Sequence, residues 1–492
     1  MSVGTSRGIL GIGAHLPYRR LDRAAIRPVA GAGGGRGRRT VASYDEDTTT
    51  MGVEAARLAR RDAPRVRPAT LWFSTVAPAY LDKANATTVH AALTLDPGCP
   101  AFDVNGSVRS ALGALRAGLT GAAPALVVTA DLRTGRPGSA DEAAGGDAGA
   151  AALVGDASAG PLLAELVGWG SATEEFLDRW RTPGDAHSTH WEERFGEGRY
   201  AELGARAWAD ALADAGVGAD EVDVVLVAAA HARAGTTLVS RLGVADRVPG
   251  AGSTAGRLAA EVGETGAAQP LLLLAAALDD LSGTDTAARA DDDGAIDDAD
   301  GPGKVVALVA LADGADVVLF RTTGALAGRR PARPVAAQLD AGGAVAYGTY
   351  LAWRGYLPVE PPRRPLPARP SAPAADRSRA WKFGFVASES AEGAVHLPPA
   401  PGDDRPRPMA DAVGTVATST VDRLAYSPSP PVVFAVVDFD GGGRLPVELT
   451  DVEATGVGIG DRVEMTFRRL FTAEGVHNYF WKARPLRAGE ER

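Results

Sequence analysis

The sequence is almost free of cysteine: Cys99 is the only one in 492 residues. A single thiol excludes a disulfide framework and any site assembled from several thiolates. Basic charge is not in excess either. Lys and Arg total 51 against 61 Asp and Glu, a formal net charge of −10. That balance argues against a nucleic-acid binder, whose phosphate contacts need clustered positive charge. Long apolar runs are missing too. The longest, "PLLLLAAAL" at Pro270–Leu278, falls far short of the roughly 20 residues that cross a bilayer, so no membrane span is expected. The opening "MSVGTSRGILGIGAHLP" lacks a charged segment leading into a long apolar one; no signal peptide is read, and a cytoplasmic protein is expected. What the chain has in plenty is glycine, 60 residues, together with alanine, as close helix–sheet packing requires. The length allows two to four domains with ample core. Part of the acidity is local, in "ARADDDGAIDDADGPG" (Ala288–Gly303), which reads as a solvated loop.

The first third alternates strand and helix. "RGILGIGAHLP" is a buried strand, and "TTTMGVEAARLARRDA" an amphipathic helix with Thr48–Thr50 as candidate N-caps. "ATLWFSTVAP" and "AFDVNG" are strands, "ANATTVHAALTL" and "VRSALGALRAGL" helices, "PALVVTADL" and "AGAAALVGD" further strands. A second such set runs from "YAELGARAWADALADAG" to the hairpin "KVVALVALADGADVVLFR". Two consecutive alternating sets predict an internally duplicated α/β domain with halves 1–165 and 166–358. Residues 174–200, aromatic, charged and non-periodic, read as an inserted loop over a site or interface. A Pro-rich linker (359–380) should be extended and exposed. Beyond segment 381–408, residues 409–488 alternate in short strands with Gly-rich turns and predict a small all-β barrel.

Several stretches carry a resemblance. "GILGIGAHLPYRRLDR", "VASYDEDTTTMGVEAARLA", "GDAGAAALVGD", "EEFLDRWRTPGD…WEERFGE" and "VAAAHARA" resemble the 3-hydroxy-3-methylglutaryl-CoA (HMG-CoA) synthase branch of the thiolase superfamily. "GTVATSTVDRLAYSPSPPVVFAVVDFDGGGR…ELTDV…GIGDRVEMTFRRL" is similar to the acyl-CoA-associated OB-fold domain that accompanies thiolases. The resemblance implies a thiolase-like five-layered αβαβα domain followed by an OB-fold barrel. It also implies acyl-CoA thioesters as ligands, and a homodimer or a heteromer with a thiolase or condensing-enzyme subunit.

Carried over residue by residue, the resemblance implies a changed site. The family's acyl-accepting cysteine sits at a strand-to-helix turn, and "GSVRSAL" puts Val108 there, with Ser107 beside it. A valine cannot attack a thioester. The synthase's general-base glutamate falls on Val76 in "FSTVAP"; the family histidine is matched by His231; the asparagine of related condensing enzymes is replaced by Glu264 in "VGETGAA". The zinc-ribbon cysteines that often precede the barrel fall on Glu389, Glu392, Asp403 and Pro406, a set unsuited to structural zinc, so no zinc and no other cofactor is expected.

Each candidate has a second reading. Ser107 is either a substitute nucleophile with His231 as its base or a turn and cap residue; "NGSVRS" lacks the second glycine of a nucleophile elbow, which favours the cap. His231 is a catalytic acid–base or a hydrogen-bonded remnant. Glu264, at the start of a Gly-led helix, is either a base or a helix-dipole partner. His187 and His190 have metal-ligand spacing but no third ligand, so solvent exposure is the simpler reading. Arg36, Arg38 and Arg39 in "GAGGGRGRR" are candidate CoA-phosphate contacts or part of a disordered loop. In the barrel, "DFDGGGR" and "NYFWKARP" suit partner contacts better than oligonucleotides at this charge. Two functions follow: a catalytically degenerate scaffold, which should have an occluded or apolar pocket, or an acyltransferase using Ser107 and His231, which should have an open, polar one.

Overall fold

A computed structural model describes residues 6–289, 303–360, 364–365, 367–402, 405–425 and 427–487. The acidic run predicted as a solvated loop falls mostly at 290–302, outside the described residues, as does Asp403.

The first half places β1 (Arg7–His15), α1 (Thr48–Asp62), β2 (Thr70–Ser74), α2 (Ala86–Ala92), β3 (Ala101–Asp103), α3 (Ser110–Thr120), β4 (Ala125–Asp131) and β5 (Ala148–Asp156). The second places β6 (Ala164–Ala172), α4 (Glu193–Ala215), β7 (Val224–Ala229), α5 (Ala232–Leu242), α6 (Thr254–Glu261), α7 (Gln269–Arg289), β8 (Val305–Leu311) and β9 (Ala315–Thr322). Hydrogen bonding runs β7-β8-β9-β6-β1-β5-β4-β2-β3. Each half thus has its first strand antiparallel to its last, and its second parallel to its penultimate. That shared order is the duplication expected from sequence. Among the described residues the second half has no counterpart of edge strand β3. The halves meet where β1 pairs with β6, Gly8 opposite Glu165.

Three cores separate five layers. One lies between the halves and holds Leu112 and Leu115 of α3 and Leu271–Leu278 of α7 against both sheets. A helix that is apolar all round must be covered all round, which explains the "PLLLLAAAL" run. The outer cores pack α1 and α2 on the first half and α4 and α5 on the second. Helix α4 lies close enough to β6 that a Cβ at Gly170 would sit 2.0 Å from the Ala207 carbonyl oxygen. Helix α1 opens with Asp47 accepting the Thr50 N–H while Thr50 returns a contact to the Asp47 N–H, a reciprocal cap.

Strands β10 (Val413–Asp422), β11 (Val432–Phe439), β12 (Arg444–Leu449), β13 (Arg462–Ala473) and β14 (Val476–Pro485) close a barrel in the order β10-β11-β12-β14-β13. The barrel docks on α1 and the residues just before it through buried ion pairs and a hydrogen bond. Asp45 meets Lys482 at 3.0 Å, Glu46 meets Arg468, and Glu54 accepts the Phe467 N–H at 3.0 Å. Burial would raise the Glu54 carboxyl, but the charges of Arg57 and Arg333 outweigh it and hold it at about 2. Arg57 also lies over the Trp481 ring, 4.9 Å from its centre.

Two segments differ from their sequence reading. The linker forms a helix at Ala372–Arg377, because Pro373 falls in its first turn, where the missing N–H costs nothing. The insertion is not all loop: Arg179–Trp180 pairs with Thr189–His190, and α4 begins at Glu193. No described helix is long and apolar enough to cross a membrane.

Candidate functional site

A cavity of about 630 Å³ opens where β2, the turn before α3, the inserted segment and the β8–β9 hairpin converge. It brings together Val76, Ser107, Val108, His231 and Glu264, residues far apart in the chain. Arg36, Arg38 and Arg39 stand apart from it. Arg38 pairs with Glu261 at 2.7 Å. Arg39 is fully buried, donating to the Glu142 and Arg133 carbonyls and facing the Tyr350 ring, so it belongs to the core and is closed to any phosphate. Cys99 is buried in the outer core.

The polar side chains at the turn are committed. The Ser107 hydroxyl donates to the Asp313 carboxylate and accepts the Arg109 N–H at 3.1 Å, capping the entry to α3. His231 caps α5: its Nδ1 accepts the Ala234 N–H at 3.2 Å, which leaves the ring proton on Nε2, facing the Glu193 carbonyl oxygen at 2.9 Å. The hydroxyl proton therefore goes to Asp313 and not to His231, and the two do not form a nucleophile–base pair. Glu264 pairs with Arg133 at 3.0 Å and accepts the Gly266 N–H at 2.7 Å, at the first residue of the helical turn Gly266–Ala268 that leads into α7.

Behind Val76, Asp131 accepts from the Val76 and Ala267 N–H groups and the Thr75 hydroxyl. Burial, against the pull of Arg133 and these bonds, lifts its carboxyl to about 6. The inserted segment forms a wall of the cavity. Arg179 and His190 both reach Asp141, each at 3.0 Å, and Arg181 donates to the Val76 carbonyl. Burial would raise Asp141, but the His190 hydrogen bond and the Arg179 charge hold it at about 2. His187 stacks on Tyr356 rather than standing free, and among the described residues no group of three His, Cys, Asp or Glu side chains is placed to hold a metal.

Sequence reasoning missed Asp313, Tyr200, Asp178 and Arg133. Asp313 sits in "LADGAD", which reads as an ordinary hairpin turn. The remaining three look like surface polar or helix residues until the fold brings them to the cavity. The segment ahead of the barrel folds as a small sheet in which Glu389 pairs with Arg407 at 3.1 Å, Glu392 bonds Ser390 and Pro406 pairs within a strand. A carboxylate already neutralised by arginine and a residue with no donor atom do not fit structural zinc.

Comparison with known proteins agrees with this architecture. Residues 406–468 match the C-terminal OB-fold domain family of ChsH2. The HMG-CoA synthase of Thermococcus sibiricus is 33% identical over 202 residues, 39% of this chain and 57% of that protein. The chain thus spans under two thirds of that relative's length. Among solved structures, MvaS in complex with 3-hydroxy-3-methylglutaryl coenzyme A aligns with a TM-score of 0.57 at 19% identity, covering 75% of this chain and 95% of that one. PksG, an HMG-CoA synthase from Bacillus subtilis, gives 0.56 at 18%, covering 71% and 89%. At such identities the likeness is one of fold. The chain joins a thiolase-fold domain homologous to HMG-CoA synthases to an OB-fold domain of the ChsH2 C-terminal kind.

Proposed function

We propose that this chain is a catalytically degenerate, HMG-CoA-synthase-like protein that binds an acyl-CoA-type ligand without being acylated and scaffolds a separate thiolase or condensing enzyme in the cytoplasm. The observation that carries this reading is the state of the turn. Val108 stands where the family resemblance calls for the nucleophile, the Ser107 hydroxyl is given to Asp313, and both His231 nitrogens are engaged. Acyl transfer to the protein needs a free nucleophile beside a free base. This turn supplies neither.

The cavity itself qualifies the scaffold idea. An inactive support was expected to have an occluded or apolar pocket, and about 630 Å³ lined by Arg133, Asp141 and Arg179 is neither. That openness favours retained ligand binding. It also supports a second reading, an acyltransferase acting through Ser107 and His231, which would require both to leave their present partners. The barrel face that carries Lys482 and Trp481 is used within the chain, against α1, while the exposed turn Asp438–Arg444 is left for a partner subunit or second copy. The reading assigns no role to zinc.

The test is intact-protein mass after incubation with short and medium acyl-CoAs, alongside equilibrium binding of the same thioesters. Binding with no adduct is expected. An adduct that disappears in Ser107→Ala would replace this reading with the acyltransferase.

A further inference from the structure

The charges that line the cavity do not cancel evenly. Arg133 is matched by Glu264 and Arg179 by Asp141, while Arg181 has Asp185 nearby. At the turn end stand two carboxylates, Asp178 and Asp313, that form no ion pair among the described residues and are close enough to interact; Arg179, whose charge also reaches Asp178, is itself paired with Asp141. The nearest guanidinium, Arg109, gives its charge to Asp316 at 2.7 Å and offers Asp313 only a bond to the backbone carbonyl, at 2.9 Å. The other polar groups there, His231 and Tyr200, carry no compensating charge as they are bonded: the Tyr200 hydroxyl meets the Asp313 N–H at 3.3 Å.

Asp313 is held in place with some strain. Its φ is +48°, in the left-handed region that L residues adopt at a cost, with Asp and Asn the better tolerated. Such a conformation persists where the surroundings over-determine it. Here it turns the carboxylate back from the hairpin onto Ser107, one residue from Val108.

We infer that Asp313 is a specificity-determining residue: it makes the turn end of the cavity exclude anionic groups and admit neutral ones. A ligand would enter with an uncharged acyl or hydrogen-bond-donating portion at Val108, and one with a free carboxylate at that end would be rejected. The carboxylate also opposes any oxyanion that formed beside the turn, a barrier additional to the missing thiol. This goes beyond the proposed function and stands whether or not the turn is ever acylated.

The experiment uses a thiol as a local probe. In full-length Val108→Cys, alkylation at position 108 by neutral iodoacetamide and by anionic iodoacetate is timed by peptide mass, with free cysteine as reference. The amide-to-acetate rate ratio is expected to exceed the reference by about tenfold and to fall back several-fold when Asp313→Asn is added, since Asn keeps the left-handed backbone and drops the charge. A ratio that Asp313→Asn leaves unchanged overturns the inference. So does one that moves more with Asp178→Asn, which would assign the effect to Asp178. Where Val108→Cys does not fold, Ser107→Cys carries the same comparison. Acyl-CoA adducts are scored separately on the unmodified protein, so failure here and failure of the proposed function are distinct results.

Discussion

Lys482→Met tests whether ionised carboxylates hold the barrel on the α/β domain. Lys482 is 1% exposed and meets Asp45, itself 0% exposed, at 3.0 Å and Glu448 at 2.7 Å. Met keeps the length and apolar stem of the lysine while removing the charge, so packing changes little. Glu448 is a quarter exposed and can be hydrated instead. Asp45 cannot; it keeps Ser43 at 2.5 Å and Thr450 at 3.0 Å as donors, and the cation left acting on it is Arg468, already paired with Glu46 and Asp451. Removing one member of a buried pair costs about 3–5 kcal/mol. A ceiling follows from the escape route, because Asp45 can take up a proton. At pH 7 that costs about 1.36 kcal/mol for each unit above an ordinary value near 3.9, roughly 4 kcal/mol in all; at pH 5 it is roughly 1.5 kcal/mol. The expected loss is therefore about 3 kcal/mol at pH 7, falling by about half at pH 5, with most of it recovered in Lys482→Met/Asp45→Asn. Urea unfolding followed by circular dichroism at both pH values measures this. A loss under about 1 kcal/mol, or one independent of pH, would refute the reasoning.

Other consequences are as definite. Glu54 is held at about 2, below its ordinary value, so its stabilising contribution is full above about pH 4 and is lost as the pH falls toward 2. Asp131, lifted to about 6, acts in the opposite sense, its contribution being full below the ordinary carboxylate range and lost as pH rises through 6. Their windows adjoin near pH 4, so as far as these two groups decide it a melting-temperature series should peak there, falling below it as Glu54 takes up its proton and declining between about pH 4 and 6 as Asp131 ionises. His231→Ala removes the α5 cap and should cost about 1 kcal/mol in denaturant unfolding, with thioester affinity unchanged; a loss of affinity without a loss of stability would make His231 a ligand contact. Gly170→Ala forces the new methyl onto the Ala207 carbonyl and should lower stability by about 1–3 kcal/mol as α4 shifts off β6.

The duplicated α/β order was legible because apolar strands and helices alternate twice, and the barrel because short strands follow a proline-rich stretch. The resemblance to HMG-CoA synthases located Val76, Val108, His231 and Glu264, with Ser107 beside Val108, and the fold gathers all five into one cavity. Their partners were not legible. Nothing in "LADGAD" says that Asp313 turns back onto Ser107, since a hairpin's backbone angle is fixed by the sheet pairing around it. Arg39 was misplaced because its glycine-rich prelude suggests a loop, whereas Arg38–Val41 is a strand and carries the side chain inward. Of the two barrel stretches read as partner surface, Asn478–Pro485 is largely buried against the α/β domain, which sequence could not show, whereas Asp438–Arg444 stays largely exposed.

One contact ties the barrel to the cavity. Segment 76–81 contributes Val76, Ala77, Pro78 and Leu81 to the cavity lining and is held from two sides. Thr48 of α1 donates to the Ala77 carbonyl at 3.0 Å; from the barrel, the His477 N–H donates to the Tyr80 hydroxyl at 2.8 Å and the two rings meet at a tilt, their centres 4.8 Å apart. Burial and the charge of Arg469 lower the His477 imidazole below its ordinary value, so it is neutral at pH 7. A depressed histidine contributes stability that is full above its ordinary value, near 6.5, and is lost as pH falls below it. Acid should therefore loosen this contact before the carboxylate pairs of the main interface yield. The protection factors of the 76–85 amides, exchange rates corrected for the intrinsic effect of pH, are expected to fall between about pH 6.5 and 5 while those in β13 and β14 hold, and His477→Gln, which cannot be charged, should flatten the response. If the 76–85 amides and the barrel strands loosen together, the barrel and the cavity wall move as one body and His477 is merely packed between them.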